Sequence, residues 1–301
     1  MDVRHLELLR ELADRGTVTA VAAATYRTPS AVSQQLRSAE RALGLALVEP
    51  SGRGLRLNAA GRLLAEGAVE VSTVLEGLQR RLDDLRGAPS GEVTITGLPS
   101  ALEFLSPGLI ARLAGTDVEV SLSDTDVAEA DFAGRAADHD LVIGHSLADS
   151  PQGSGRLFVQ AIAREPLDVA LPAGHRLAAS PALTAADLAG ERWIGVPPGY
   201  PFDTVRIAIE NRAGRALEVV QRIRDNRVVE ALVGAGVACA LLPRFTTRPR
   251  PDLRLVPLAD VRSVRSIFAL GRPDRLQRAA VRLVLSALSE TGARLTAARS
   301  L

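Results

Sequence analysis

The sequence predicts an α-helical N-terminal part followed by an α/β part. Up to residue 86, apolar residues recur at steps of three and four, which is the period of amphipathic helices. Beyond it, short apolar runs typical of strands alternate with helical stretches of about ten residues. The turn-forming segment Gly87–Gly91 separates the two patterns and marks a linker. A length of 301 residues suggests two domains, with ample chain for a core in each.

Three short helices are predicted first. Residues Met1–Arg15 form an amphipathic helix that Gly16 closes. A second helix, rich in Ala and Val, begins at Thr17 or Thr19, because either hydroxyl can cap it. The third helix, Thr28–Leu43, has a capping threonine and a proline at its first helical position. Two short helices joined by a tight turn are typical of a helix-turn-helix.

The third helix has two contrasting faces. Its apolar face comprises Val32, Leu36, Ala39 and Leu43. Its other face carries Gln, Arg and Ser, which pair with base edges and phosphates in a DNA groove. The residues predicted to contact DNA on this helix, together with one on the hairpin that follows, are Thr28, Ser30, Ser33, Gln34, Arg37, Arg41 and Arg53. An ordinary amphipathic helix pair is the alternative, because helical periodicity is common.

A short hairpin, or wing, is predicted over Leu47–Asn58, with Gly52 and Gly54 at its tip and Arg53 between them. Such a wing can place an arginine on the DNA backbone or in the minor groove. From residue 26 to residue 58, five arginines stand against two glutamates, whereas the whole chain has a formal net charge of only +1. Positive charge is therefore concentrated where DNA binding is predicted.

A long helix follows, with Asn58 as its expected cap. Its apolar residues alternate at steps of four and three, which is the seam of a helix that packs on a partner helix. The residues of this seam predicted to hold two protomers together are Leu64, Val71, Leu75, Leu78 and Leu82. A helix buried in the core of its own chain would show the same stripe and is the alternative.

The α/β part divides into alternating elements. Strands are predicted at Glu92–Gly97, Val118–Ser123, Leu141–Gly144, Ala161–Arg164, Leu167–Leu171, Trp193–Val196, Ala216–Ile223, Cys239–Leu242, Leu253–Pro257 and Ser266–Leu270. Helices are predicted at Leu102–Ala114, Val127–Ala136, Phe202–Ala213, Val228–Gly234 and from Arg275 to about Leu295. This alternation is typical of parallel α/β units.

The order of helix, helix-turn-helix, Gly-Arg-Gly wing and long helix resembles the LysR-type transcriptional regulators. TPSAVSQQLRSAERALG is similar to that family's recognition segment, and SGRGLRLNAAG to its wing and helix start. One departure is Val48-Glu49-Pro50, where the family often has an aromatic and a basic residue. The resemblance covers nearly the whole chain and implies a winged helix-turn-helix over 1–58, a linker and dimerisation helix over 59–87, and an effector-binding domain over 88–301.

The resemblance further implies that this last domain has two α/β subdomains, like a periplasmic binding protein. Subdomain I is expected over about 91–162 and 265–295, and subdomain II over about 163–264, with the chain crossing near Ala163 and Val264. Function follows from the same resemblance. We expect a transcriptional regulator that binds double-stranded DNA, responds to a small-molecule effector, contacts RNA polymerase and forms a homodimer or homotetramer.

Ligands of open α/β sheets bind beyond the carboxyl ends of the strands. That rule, with the family's pocket, predicts effector contacts at Pro99, Ser100, Ala101, Thr125, Gly144, His145, Val196, Pro197 and Asn226. Ser100 leads this group because it opens a helix whose free N–H groups can bind an anion, although it could simply cap that helix. A small carboxylate or an amino acid is the expected effector.

Two other functions remain open at the level of sequence. One is an architectural DNA-binding protein whose C-terminal domain only assembles. The other is a hydrolase, because Gly144-His145-Ser146-Leu147-Ala148 resembles a nucleophile elbow, but turn-forming residues follow where the elbow needs a helix. We therefore expect no catalytic residue.

Neither a metal nor a cofactor is predicted. The four histidines and the single cysteine lack metal-ligand spacing, and Cys239 lies in an apolar run as a small core residue. The longest apolar run, Val228–Pro243, is interrupted by glycines and a glutamate, and Met1–Arg15 is too charged for a signal peptide. A cytoplasmic protein without a membrane segment is expected.

Overall fold

The structure is a computed structural model, and it describes residues 2–52, 54–125 and 128–299, without the side chains of 83, 84, 86, 133 and 299. Its α-helices are α1 Val3–Arg15, α2 Val18–Ala24, α3 Pro29–Leu43, α4 Ala59–Arg86, α5 Pro99–Leu113, α6 Phe132–Arg135, α7 Ala185–Leu188, α8 Pro201–Ala213, α9 Asn226–Gly234 and α10 Ala279–Arg299. Short 3₁₀ helices occupy Glu129–Asp131 and Arg275–Gln277. Among these residues, no helix has the length and apolar character needed to cross a membrane.

The strands are β1 Val48–Ser51, β2 Gly54–Leu57, β3 Ser90–Gly97, β4 Asp117–Asp124, β5 Leu141–Ser146, β6 Phe158–Pro172, β7 Arg192–Gly195, β8 Glu218–Arg222, β9 Cys239–Pro243, β10 Leu253–Val256 and β11 Val264–Gly271. The first two form a separate antiparallel hairpin. The rest form one continuous sheet in the order β4-β3-β5-β11-β6-β9-β7-β8, with β10 paired to β6. The predicted fold class, α-helical and then α/β, is therefore confirmed.

The predicted helix-turn-helix forms because each helix has its own start and stop signal. The Thr17 hydroxyl accepts a hydrogen bond from the N–H of Ala20 at 3.1 Å, so Thr17, not Thr19, caps α2. The Thr28 hydroxyl accepts from the N–H of Ala31 at 3.2 Å and so caps α3. Helix α3 ends at Gly44, which is left-handed with a φ of 66°.

The wing and the long helix pack on this helical core. Asn58 accepts a hydrogen bond from the N–H of Gly61 at 2.9 Å and caps the first turn of α4. Gly61 lets the helix approach the wing, because a β-carbon there would lie 2.2 Å from the Leu47 carbonyl oxygen. The core beneath is formed by Leu8, Leu9, Leu12, Val21, Ala22, Val32, Leu36, Ala39, Leu47, Leu57 and Ala65.

The α/β part differs from the predicted succession of parallel units. Strands β3, β4 and β5 are parallel, and so are β7, β8 and β9, but β11 and β6 are antiparallel to their neighbours. The two short strands predicted on either side of Pro166 are a single strand, β6. Pro166 is tolerated there because it faces Val264, the first residue of β11, where the ladder is beginning.

Strands β6 and β11 join the two halves of the sheet. The first half of β6 pairs along β11, next to β5, whereas its second half pairs with β9 and β10. The two crossings predicted near Ala163 and Val264 fall on these strands. Separate apolar cores lie under each half, one around β3, β5 and β11 and the other around β7 and α8.

A second correction concerns the predicted helix Val127–Ala136. Residues 129–135 are helical, but as a 3₁₀ turn followed by the single turn α6 rather than one continuous helix, and Val127 lies outside the described residues. The described part of the segment holds one large apolar side chain, Phe132, which is fully buried. Its ring packs against Gly144, in the space that a β-carbon would occupy. A single apolar anchor supports one turn rather than a full amphipathic helix.

The helix-turn-helix also contacts the α/β part. The Arg10 guanidinium donates to Asp274 at 3.1 Å and to the Ser72 hydroxyl at 3.0 Å, and Asp274 also pairs with Arg272 at 2.8 Å. Burial, together with the nearby charge of Arg272, lowers the pKa of Arg10. These ion pairs hold α1 against the loop after β11.

Candidate functional site

The exposed face of α3 carries most of the predicted DNA contacts. Ser30, Gln34, Arg37 and Arg41 are exposed, and Ser33 is half-buried. Arg37 and Arg41 make no ion pair with any residue that the structure describes, so both guanidinium groups are available to phosphates or bases. Thr28 caps the helix and its hydroxyl also contacts that of Ser30 at 2.9 Å. The predicted contact Arg53 lies outside the described residues.

One exposed residue beside this face was not predicted. Tyr26, in the turn between α2 and α3, is 98% exposed and has a φ of 54°. Among the described residues, it is the only non-glycine residue with a positive φ. Its side chain therefore faces solvent just before the N-terminus of α3. The neighbouring Arg27 is held by Gln35, whose side-chain oxygen accepts its hydrogen bond at 2.6 Å.

The predicted dimerisation seam of α4 divides into a covered and an uncovered half. Leu64 packs against the core of the helix-turn-helix, and Val71 is half-buried. Further along, the apolar residues face solvent within this chain, namely Val74, Leu75, Leu78, Leu82 and Leu85. Such a contiguous exposed apolar stripe is typical of an interaction surface.

A cavity of about 510 Å³ lies at the carboxyl ends of β3, β5 and β7. Five of the nine predicted effector contacts line it, Pro99, Ser100, His145, Val196 and Asn226, whereas Ala101, Thr125, Gly144 and Pro197 do not. Ala101 is buried in the core beneath, and Thr125 instead hydrogen-bonds the Thr96 hydroxyl at 2.8 Å. The lining residues that were not predicted include Glu103, Phe202, Arg227, Glu230, Thr246 and Arg265.

Arg265 is the central charged group of this cavity. It is paired across the strands with Glu165, at 2.5 Å, and the two side chains are 1% and 0% exposed. The same guanidinium donates to the Ser100 hydroxyl at 3.0 Å and lies 5.8 Å from the centre of the Phe202 ring. Glu165 also accepts from the N–H groups of Phe245 and Thr246, at 2.6 and 3.1 Å.

Ser100 is therefore not the helix cap. The N-cap of α5 is Leu98, and the Ser100 hydroxyl is engaged by Arg265 instead. The hydroxyl and the guanidinium meet at the wall of the cavity, beside the first turn of α5. This placement puts a hydroxyl, a cation and helix N–H groups within one region, which suits a ligand that carries oxygen acceptors.

His145 lies in the wall of the cavity, between two aromatic rings. It is 6.3 Å from Phe132 and 5.5 Å from Phe202, measured between ring centres. Burial, and then the charge of Arg265, holds the pKa of His145 well below its usual value, so the ring is neutral. Its Nδ1 atom has no hydrogen-bond partner among the described residues, and neither does the buried Oγ1 atom of Thr246 in the same wall.

An ion-pair bridge spans the mouth of the cavity. Arg227, in α9, pairs with Glu103, in α5, and also with Glu230 at 2.7 Å. Arg248 reaches the same Glu103 at 3.2 Å. The bridge joins the two halves of the α/β part, because α5 belongs to one half and α9 to the other.

The geometry does not support the hydrolase alternative. Ser146 is buried, and its hydroxyl accepts a hydrogen bond from the N–H of Ala148 at 2.9 Å. Bends, not a helix, follow the strand, so the exposed serine of a nucleophile elbow is not formed. The only later histidine, His175, is bonded to Glu191 at 3.1 Å.

Two family models match the chain. Residues 86–293 match the LysR substrate binding domain, and residues 3–62 match the bacterial regulatory helix-turn-helix protein of the lysR family. The chain belongs to the LysR family. It is therefore a DNA-binding transcriptional regulator with an effector-binding domain, and its family consists of regulators, not enzymes.

Individual LysR relatives agree with this assignment. The HTH-type transcriptional regulator CatR of Pseudomonas putida is 31% identical over 90% of this chain and 93% of its own length. The transcriptional dual regulator GltC of Bacillus subtilis is 27% identical over 85% of this chain and 86% of its own length.

Solved structures of LysR regulators share the fold. A mutant of OxyR from Corynebacterium glutamicum superposes with a TM-score of 0.60 at 18% identity, covering 99% of this chain and 94% of its own. CbnR in complex with its target DNA superposes with a TM-score of 0.55 at 22% identity, covering 97% and 100%.

Proposed function

We propose that the exposed face of α3 reads base edges in the major groove of an operator while the wing contacts the backbone. The guanidinium groups of Arg37 and Arg41, next to Gln34, support this placement, because neither is in an ion pair with a described residue. Tyr26 extends the same surface. The regulator acts in the cytoplasm, where it has access to its DNA target.

Base reading is tested by substitution on that face. Arg37→Ala is expected to reduce discrimination at one base pair by about 1–3 kcal/mol if its contact is bidentate. Binding is measured across single-base variants of the target, at two salt concentrations. Arg192→Ala, an exposed arginine of the α/β part, is the matched control and leaves discrimination unchanged. An unaltered preference in Arg37→Ala refutes α3 as the reader.

Binding is first measured with the DNA that lies upstream of the regulator's own gene. Binding that weakens with salt but survives competitor DNA identifies a sequence-specific target. Binding without sequence preference favours an architectural role instead. Failure to bind across a genomic DNA library contradicts the placement of the DNA-binding surface.

We further propose that two protomers pair through the exposed stripe of α4, forming a dimer or a dimer of dimers. Burial of Leu75 and Leu78 in that contact explains why both are exposed in a single chain. The double substitution with aspartate is expected to dissociate the dimer in sedimentation experiments. Arg81→Asp, on the same helix, is the control for added charge. An intact dimer in the double variant refutes this interface.

The effector is proposed to bind in the cavity between the two α/β halves and to be a small carboxylate or amino acid. Ser100, the buried Arg265 and the first turn of α5 converge there, which is the observation that carries this proposal. Binding biases the arrangement of the two halves, which changes DNA bending or contact with RNA polymerase.

This cavity is tested by thermal shift with a panel of small carboxylates and amino acids. The compound that stabilises the wild type is expected to lose most of its effect in Ser100→Ala. Ser121→Ala, an exposed serine of β4, serves as the control and keeps the full shift. An equal shift in Ser100→Ala places the effector elsewhere.

A further inference from the structure

Three side chains that are far apart in the sequence meet at the end of the second α/β half. Cys239 begins β9, and Glu191 lies two residues before Trp193, which pairs with Cys239. His175 lies in the turn after β6, whose residue Ala170 pairs with Ala240. The amino ends of β7 and β9 and the carboxyl end of β6 therefore converge, at the end of β7 opposite the one that borders the effector cavity.

The three side chains offer an imidazole nitrogen, a carboxylate oxygen and a thiol sulfur. These donor atoms all lie within 4.8 Å of one another. They are the three ligand types that Zn²⁺ takes from proteins. We propose that His175, Glu191 and Cys239 form a binding site for a divalent transition-metal cation of the zinc class, with a fourth position open to water.

The distances fit a tetrahedral cation after a small closure. The Nε2 atom of His175 is 3.1 Å from the Oε2 atom of Glu191. Bonds of about 2.0–2.2 Å to a tetrahedral centre place nitrogen and oxygen about 3.3 Å apart, and bonds of about 2.3 Å to sulfur place it about 3.6 Å from each. The nitrogen–oxygen separation is already met, so only the sulfur distances have to shorten, from at most 4.8 Å and therefore by about 1.2 Å at most.

The surroundings orient the carboxylate for this role. Arg176 donates to the Oε1 atom of Glu191 at 2.5 Å, which leaves Oε2 directed toward the imidazole. Such an outer hydrogen bond is the usual support for a ligating carboxylate. His175 and Glu191 are half-buried and Cys239 is buried, so the fourth position opens on the histidine and glutamate side. A thiolate and a carboxylate together balance the charge of a divalent cation.

Metal binding requires the loss of the Cys239 thiol proton and a change of the His175 tautomer. Without a cation, burial and the charge of Glu191 raise the pKa of Cys239 to about 12, so the thiol keeps its proton. Coordination releases that proton to solvent as the sulfur–metal bond forms. The imidazole proton moves from Nε2 to Nδ1, at the cost of the weak contact of 3.3 Å from the Leu177 N–H. The thiol of Cys239 thus loses one proton for each cation bound.

Cobalt titration of the full-length protein tests the site directly. Co²⁺ is the probe, because a bound thiolate gives a charge-transfer band in the near ultraviolet. We expect a band that saturates at about one Co²⁺ per chain, and displacement of the cobalt by Zn²⁺ with a Kd below about 10 µM. Cys239→Ser is expected to abolish the band, and His175→Ala to weaken Zn²⁺ binding by at least about 10-fold. His139→Ala, at another partly buried histidine, is the matched control and changes neither.

Several results overturn the proposal. Absence of the band at saturating Co²⁺, or its persistence in Cys239→Ser, excludes the thiolate as a ligand. Unchanged Zn²⁺ affinity in His175→Ala excludes the imidazole. If Cys239→Ser fails to fold, His175→Ala decides, because His175 lies in a half-buried turn. Effector and DNA binding are not part of this readout, so the metal site and the proposed function stand or fall separately.

Discussion

Replacing Arg265 with methionine removes the cation of a fully buried ion pair while keeping much of the side-chain volume. The Glu165 carboxylate would then keep only its hydrogen bonds from the N–H groups of Phe245 and Thr246. It loses the two contacts that Arg265 makes at 2.5 and 2.8 Å. Breaking a buried pair by removal of one partner costs about 3–5 kcal/mol, because a buried charge is left uncompensated. We expect Arg265→Met to lower the free energy of unfolding by that amount.

Removing the charge of Glu165 as well distinguishes the penalty of an unpaired buried carboxylate from the loss of packing at residue 265. The double variant Arg265→Met, Glu165→Gln has no buried charge, and its amide still accepts from the two backbone N–H groups. It is therefore expected to be more stable than Arg265→Met alone. The interaction free energy from the double-mutant cycle should reach about 2–3 kcal/mol, the upper range for groups in direct contact.

Thermal unfolding monitored by tryptophan fluorescence is the assay, because Trp193 is the only tryptophan and is buried in the half that contains α8 and β7. A change of 1 kcal/mol shifts the Tm by about 2–4 °C in domains of 150–250 residues, so the single variant should lose about 6–20 °C. Arg212→Met is the control, because its pairing with Asp260 at 3.4 Å is exposed and worth about 1 kcal/mol at most. A loss below about 1 kcal/mol in Arg265→Met, or no recovery in the double variant, refutes the reasoning.

Two further predictions concern glycine and histidine. Gly61→Ala is expected to cost about 1–3 kcal/mol because its β-carbon would lie 2.2 Å from the Leu47 carbonyl oxygen. Gly67→Ala in the same helix meets nothing within 4 Å and should instead stabilise by up to about 1 kcal/mol; equal effects on the Tm would contradict this contrast. Burial, and then the charge of Arg265, lowers the pKa of His145 in the folded state. As the pH falls, the unfolded state therefore takes up this proton at a higher pH than the folded state does. The stability that neutral His145 provides is complete above about pH 6.5 and is lost as the pH falls below it. His145→Gln should flatten this decline in urea titrations; parallel wild-type and variant profiles would exclude His145 as its source.

The N-terminal helices could be predicted because their signals are local. Thr28 and Gly44 cap and end α3 through atoms only a few residues away. The same holds for the wing and for the cap of α4 at Asn58. In the α/β part, Pro166 falsely indicated a strand break, because it lies within β6 opposite Val264, where the pairing with β11 only begins.

The cavity could be predicted only in part. Residues that follow strand ends, such as Ser100 and Asn226, were found because sheet topology brings these ends together. Phe202 and Arg265 were missed because one lies in a helix and the other within β11. An arginine inside an apolar strand was the available signal for Arg265, since a buried charge needs a partner.

Residues that are close in the chain specify the helix-turn-helix, the exposed arginine face of α3 and the signature of the family, so these features could be predicted before the fold was known. Which charges are buried together depends instead on how distant strands pair. Glu165 and Arg265 are 100 residues apart, and they meet because the pairing of β6 with β11 places them opposite each other. His175, Glu191 and Cys239 likewise meet only where three strands converge. Strand register and sheet order are long-range properties, and no spacing along the chain encodes them directly.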